Sequence, residues 1–369
     1  MPTTSGTKHG LGVAAAPFIR TPTTTPRLML YVCAALLPGL AVTAYFWGSG
    51  VLWQAATAAA AAAVCELLAC LLRRRSPWLA LSDCSWLVTA LLLALTLPPL
   101  TPWHYTAGAA AFAILVVKHC FGGLGMNVFN PAMAGFIFLM ISAPGIFFAT
   151  SITPGYATWS TATPQRTFAV IFTAEDPAPL REEIWAANAP ADLISGATYL
   201  ETFKNVRKAG HAVPREPLDF LDPQRTAFHA YAYLGAAWVL GGLALWLGGV
   251  ILLQQPLFFL TTVAACGVAW HALQPETTLS LSEHLLCGGT LLAAFYIITD
   301  PVTSCGTARG RIALAVLCGA LVVLNRALGS YADSVAFAVL LANCCGPLID
   351  VLTRRRPFGA GYDRGLGLK

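Results

Sequence analysis

The chain has 369 residues, 57% of them hydrophobic and 11% charged, and a mean hydropathy of +0.66. Soluble domains carry about 25% charged residues, so a string of soluble domains is excluded and a polytopic membrane protein is predicted. The net charge of +5 reads as loop asymmetry and not as a nucleic-acid footprint.

The opening segment, residues 1–27, is rich in Thr and Pro and lacks the apolar core of a signal peptide. Targeting then falls to the first membrane helix. About ten apolar runs follow, each close to the length that crosses hydrocarbon. They are Leu28–Trp47, Val51–Leu72, Pro77–Leu97, Trp103–Val117 and Asn130–Phe148, then Ala230–Leu253, Pro256–Leu273, Leu281–Ile298, Ile312–Ala327 and Asp333–Leu352. The third, fourth, fifth and eighth are short or interrupted. The predicted fold class is therefore all-α with about ten transmembrane helices. Its organisation is a tail at 1–27, spans 1–5 over 28–148, a loop at 149–229, spans 6–10 over 230–352 and a tail at 353–369.

Lys and Arg orient these spans. With both termini in the cytoplasm, the inside segments collect 14 of the 22 basic residues, among them Arg73–Arg75, Lys118, Arg309, Arg311 and Arg354–Arg356. Seven more lie in the 149–229 loop, and long loops are weak witnesses to topology. Only Arg326 is left, near an outer helix end. The loop is accordingly expected outside the cytoplasm.

Thr89–Ala94, before Thr96-Leu97-Pro98, is echoed by Thr290–Ala294, before Thr299-Asp300-Pro301. The copies lie five helices apart, the offset of a 5+5 inverted repeat. Taken alone, chance likeness between two Leu/Ala helices explains the match equally well.

Two breaks carry polar residues. Phe121–Met133, FGGLGMNVFNPAM, has glycines suited to positive φ, and Asn130 is placed to cap a helix starting at Pro131. Its alternatives are a plain turn or a cofactor pocket containing Asn127 and Asn130. Ile298–Arg311 holds Asp300 before proline, a non-helical break with five hydroxyl or carboxylate residues. Asp83 reads as a cap for the third span. Glu66, inside the second span and roughly 9 Å from its Arg73 end, calls for a buried partner or a reach to the interface. Cys120 and Cys305 flank the breaks, but two thiolates do not complete a Cys₄ cluster. No Cys-x-x-Cys spacing occurs, so no metal site and no disulfide framework are expected.

These segments in this order resemble the NqrB/RnfD family of membrane flavoproteins. The likeness runs through Ser82-Asp83, Thr89–Leu93, Leu97-Pro98-Pro99, Phe121–Met133, Thr299–Thr303, Arg309-Gly310-Arg311, Val335–Asn343 and Pro347–Asp350. The resemblance implies a covalent flavin site of the form Asp-x-x-Ser/Thr-x-Ala-Thr, which falls on Asp192, Ser195, Ala197 and Thr198. It implies that Thr198 is esterified to the phosphate of FMN by a separate flavin transferase, on the outer side. It further implies a non-covalent flavin, riboflavin, in the membrane part, for which Asn127, Asn130 and Asp300 are the expected contacts. The short N-terminal segment and the closing stretch favour the Rnf-type branch, which couples ferredoxin–NAD electron transfer to sodium or proton movement. The expected partners are the other subunits of the Rnf complex and membrane lipid, and this chain is not expected to be catalytic alone. The alternatives are the NADH:quinone (Nqr) branch, a transporter without redox chemistry, and a structural anchor.

Overall fold

In the computed structural model, residues 24–173, 175–188, 200, 226–275, 278–329 and 334–354 are described. Where the sequence is apolar without interruption, it forms long helices. These are α1 (Thr25–Trp47), α2 (Gly50–Leu72), α11 (Thr226–Leu247), α12 (Gln254–Leu273), α15 (Ala308–Leu328) and α16 (Val335–Thr353). Among the described residues, these six are long and apolar enough to cross a membrane.

The runs expected to be short or interrupted are so. The third run forms α3 (Pro77–Leu81) and α4 (Ser85–Thr96), separated at Cys84, whose φ of 57° no continuous helix allows. The fourth is α5 (Trp103–Ala111), which passes directly into a π-helical turn at Phe112–His119. The fifth is α6 (Pro131–Ser142), followed by α7 (Pro144–Ala149). The eighth is α13 (Leu281–Leu286) and α14 (Thr290–Leu292), with a second π-helical turn at Ala293–Ile297. Within the loop segment lie α8 (Thr158–Thr161), α9 (Pro164–Phe172) and α10 (Pro177–Asn188).

Small residues let the helices approach. Ala58 and Ala62 of α2 meet Ala90 and Ala94 of α4 and Ile114 of the π turn in one buried cluster. With no hydrophobic drive between helices in lipid, such close packing is what holds spans together. A Cβ at Gly241 of α11 would fall 2.2 Å from the Ala35 carbonyl oxygen, because α11 and α1 are in backbone contact there. The Tyr296 hydroxyl donates to that same carbonyl at 2.8 Å, tying the second π turn into the contact.

At one end of the bundle, called the loop end here, α8–α10 build a second small core from Leu100, Ile152, Ala162, Val170, Leu180 and Ile184, against Trp47. Arg166 and Glu183 bridge α9 and α10 through two bonds of 2.7 and 3.0 Å. That hydrogen bond holds the Glu183 carboxyl below the ordinary glutamate range. Arg73, Lys118 and the Phe121–Asn130 segment lie at the opposite end.

A Cβ at Gly135 of α6 would sit 2.7 Å from the Ala109 carbonyl oxygen of α5, whereas nothing lies within 4 Å of one at Gly108. Gly135→Ala is expected to cost about 1–3 kcal/mol through forced separation of the two helices. The check is the thermal unfolding midpoint in detergent, which should fall for Gly135→Ala and hold for Gly108→Ala.

Candidate functional site: two helix breaks joined by Asn343

The segment after the first π turn bends through Gly122, Gly123 and Gly125 at φ of 128°, 103° and 85°, conformations that only glycine adopts cheaply. Arg73 donates to the Gly122 carbonyl at 2.9 Å and pins the bend. The chain then reaches Asn130, whose side chain accepts from Met133 N at 3.2 Å and starts α6 with Pro131 in the first turn. This is the cap that the Asn-Pro pair predicts. Asn127 is buried and donates to the Phe129 carbonyl at 3.0 Å, within its own loop.

The second break follows the second π turn. Asp300 accepts from Val302 N through Oδ1 and from the Thr303 hydroxyl through Oδ2, both at 3.1 Å. Gln255, at the start of α12, donates to the Ile298 carbonyl at 2.8 Å and to the Ser304 hydroxyl at 2.6 Å. Downstream, the Asp350 carboxylate of α16 accepts from Gly306 N.

One residue brings the two breaks together. Asn343, buried in α16, accepts from Asn130 N at 3.4 Å and donates to the Thr303 carbonyl at 3.1 Å. Asn130, Asn343, Thr303 and Asp300 thus form one connected polar network between helix segments far apart in sequence. Beside it lies a cavity of about 10 Å³, bordered by Gln255, Ile298, Cys318 and Asn343. That is room for one water molecule and not for a flavin ring. Asn130 reaches the second break through Asn343, Asn127 bonds within the first break, and Asp300 bonds within the second, to Val302 and Thr303.

A separate cluster accounts for Glu66, which is 1% exposed. Lys118, 2% exposed, lies at 2.9 Å from Glu66 Oε2, and His119 Nε2 is 3.1 Å from Oε1. The wide π turn delivers both residues to this one carboxylate. Lys118 also donates to the Ser85 hydroxyl at 2.8 Å, and that hydroxyl donates to Asp83 at 2.7 Å. Asp83 further accepts from Ser85 N, two residues on; it is not the cap expected from the sequence, since Cys84 occupies the N-cap position of α4 and makes no side-chain cap bond. Buried charges persist in hydrocarbon only when paired in this way.

Four of the sequence-predicted site residues, Asp192, Ser195, Ala197 and Thr198, lie outside the described residues. Asn343, Gln255 and Lys118 were missed as site residues. Asn343 stood at the end of the family-like stretch Val335–Asn343 with no role attached, and Lys118 resembled an ordinary positive-inside anchor.

The NQR2, RnfD, RnfE family model matches residues 12–359. The chain belongs to this family. It is 41% identical over 356 residues to the D subunit of the ion-translocating oxidoreductase complex of Salmonella newport (strain SL254), covering 94% of this chain and 98% of that protein. The D subunits of the same complex from Salmonella typhimurium (strain LT2) and Salmonella agona (strain SL483) match to the same extent. The two breaks described above are the family-like segments Phe121–Met133 and Thr299–Arg311, seen in three dimensions.

Removing one partner of a buried pair strands the other, at a cost of about 3–5 kcal/mol. Glu66→Gln alone is therefore expected to lower the folded yield and thermal midpoint sharply. Glu66→Gln combined with Lys118→Met, which buries no charge, should recover most of that loss in the same melting measurement.

Proposed function

We propose that this chain is the D-type membrane subunit of an Rnf-type complex, passing electrons between ferredoxin and NAD with coupled movement of sodium or protons. The support for the coarser part, a membrane subunit of an ion-translocating oxidoreductase complex, is the family match over most of the chain and the near full-length relatives of that description. The observation that carries the finer part is the pattern Asp192, Ser195, Ala197, Thr198 in the 149–229 loop.

Thr198 offers a hydroxyl able to form a phosphoester, and Gly196 and Ala197 beside it leave room for a modifying enzyme. FMN linked there through its phosphate keeps its ring free and supplies electron transfer, while the protein sets its position. A flavin transferase and the remaining Rnf subunits are the partners in this reading, and the site is an inner-membrane loop on the outer side.

Riboflavin, bound without a covalent link, is the second flavin of this reading. The cavity at the junction of the two breaks, about 10 Å³, does not admit its ring, and Asn127, Asn130, Asn343 and Asp300 there hold backbone groups of the chain itself.

Ten spans in a 5+5 inverted repeat, with both termini cytoplasmic, complete the proposal. Support comes from paired hydrogen bonds. Thr96 donates to the Leu92 carbonyl at 3.1 Å, and Thr299, at the matching place, to the Phe295 carbonyl at 2.8 Å. Gln54, near the start of α2, and Gln255, at the start of α12, bond the chain just after α4 and after the second π turn.

The test is flavin fluorescence of the denatured subunit on a gel, from cells that contain the transferase. A fluorescent band that disappears in Thr198→Val is expected. A dark wild-type band contradicts the covalent flavin, and fluorescence surviving in Thr198→Val contradicts the residue.

A further inference from the structure

Among the described residues, two interrupted helices are held in the same fashion at both ends. The first is α4; the second is α14 with its π turn, over Thr290–Ile297. At the start of α4, the Ser85 hydroxyl accepts from Lys118 at 2.8 Å. At the start of α14, the Thr290 hydroxyl accepts from Arg326 at 2.9 Å. Beyond the end of α4, Gln54 donates to the Pro99 carbonyl at 3.2 Å and the Thr101 carbonyl at 2.6 Å. Beyond the second π turn, Gln255 donates to Ile298 and Ser304. Gln54, Lys118, Gln255 and Arg326 are all buried.

The physical need is plain. A helix that begins within a bundle exposes backbone groups with no helical partner, and no water is at hand to satisfy them. Arg326 meets this with a planar fork. Besides Thr290 it donates to the His284 carbonyl at 2.7 Å and the Cys287 carbonyl at 3.0 Å, closing the whole turn before α14. The Thr290 hydroxyl in turn donates to the His284 carbonyl at 3.0 Å. Lys118 has a rounder ammonium, and it divides its bonds between Ser85 and Glu66. Arg326 was the one basic residue out of place in the charge pattern, and its burial in this turn accounts for its position.

We propose that Lys118 and Arg326 are positioning residues for the two helix breaks: Lys118 fixes the start of α4 through the Ser85 hydroxyl, and Arg326 fixes the start of α14 through the Thr290 hydroxyl and the His284 and Cys287 carbonyls. The consequence reaches the junction directly. Thr290–Ile297 leads without a gap into Thr299 and Asp300, so a shift at Thr290 is carried along a rigid helix into the second break. Lys118 immediately precedes His119 and the glycine bend, so a shift at Ser85 is transmitted to the first. This inference rests on the reading of the chain as a redox subunit.

The variants that test it remove only a hydroxyl and leave the cations and their other bonds in place: Ser85→Ala and Thr290→Val, with Arg326→Lys as a third. The complex is purified whole through a tag on this chain. Three quantities are read: reduced-ferredoxin-to-NAD electron transfer, the visible flavin spectrum, and the rate at which N-ethylmaleimide labels Cys287, mapped by mass spectrometry. Cys287 is 0% exposed in the turn that Arg326 closes. The expectation is an assembled complex with kcat lowered about tenfold and KM unchanged, as for misplacement of a fraction of an ångström. The flavin spectrum should shift, and Cys287 labelling should quicken in Thr290→Val and Arg326→Lys only. Wild-type kcat and spectrum in both hydroxyl variants overturn the proposal. Failure of all three variants to assemble also overturns it, since the residues would then serve the fold in general. If the wild-type complex itself shows no ferredoxin–NAD transfer, the redox reading fails instead. Cys287 labelling then decides the inference by itself, and an unchanged rate in Thr290→Val and Arg326→Lys sinks it.

Discussion

Every backbone group at a broken helix must find a partner within the protein when the surroundings are hydrocarbon. The structure follows from that one constraint. Its long helices satisfy themselves, and its breaks are satisfied by a few buried polar side chains that reach across from neighbouring spans. Lys118, Arg326, Gln54 and Gln255 hold the interrupted helices, and Asn343 ties one break to the other. Apolar packing of small residues brings these groups within reach, and the hydrogen bonds then select one arrangement.

The ionic cluster shows how a charge is made tolerable in that setting. Lys118 alone in the bundle would be costly, and Glu66 offsets its charge while His119 occupies the second carboxylate oxygen. The π turn makes this possible. In a regular helix two adjacent residues diverge by about 100°, and the widened turn relaxes that enough for both to face Glu66. Single π turns of this kind are frequent at functional sites, and this chain has one before each of its breaks.

Much of the fold was legible from apolar length alone, because a run of about 20 apolar residues has few alternatives. The positions of the interruptions were legible too, from Asn130-Pro131, Asp300-Pro301 and the glycines after Phe121. Asn130 behaves as the cap that its place before proline announces. What escaped was pairing. Glu66 and Lys118 are 52 residues apart, and Asn130 and Asn343 are 213 apart. No local pattern encodes contacts of that kind, so Lys118 and Arg326 read as topology signals when each also serves a break. Asn127 and Asp300 were legible as polar residues at breaks, yet only Asp300 joins the shared network.

The central claim is that this chain serves redox-driven ion movement and is not a passive transporter. The most direct measurement places the purified complex in sealed vesicles, adds reduced ferredoxin and NAD, and follows NADH together with membrane potential. The account predicts NADH formation with a potential that builds only while electrons flow, and faster NADH formation when an ionophore collapses it. Ion movement that proceeds equally without ferredoxin or NAD would contradict the account.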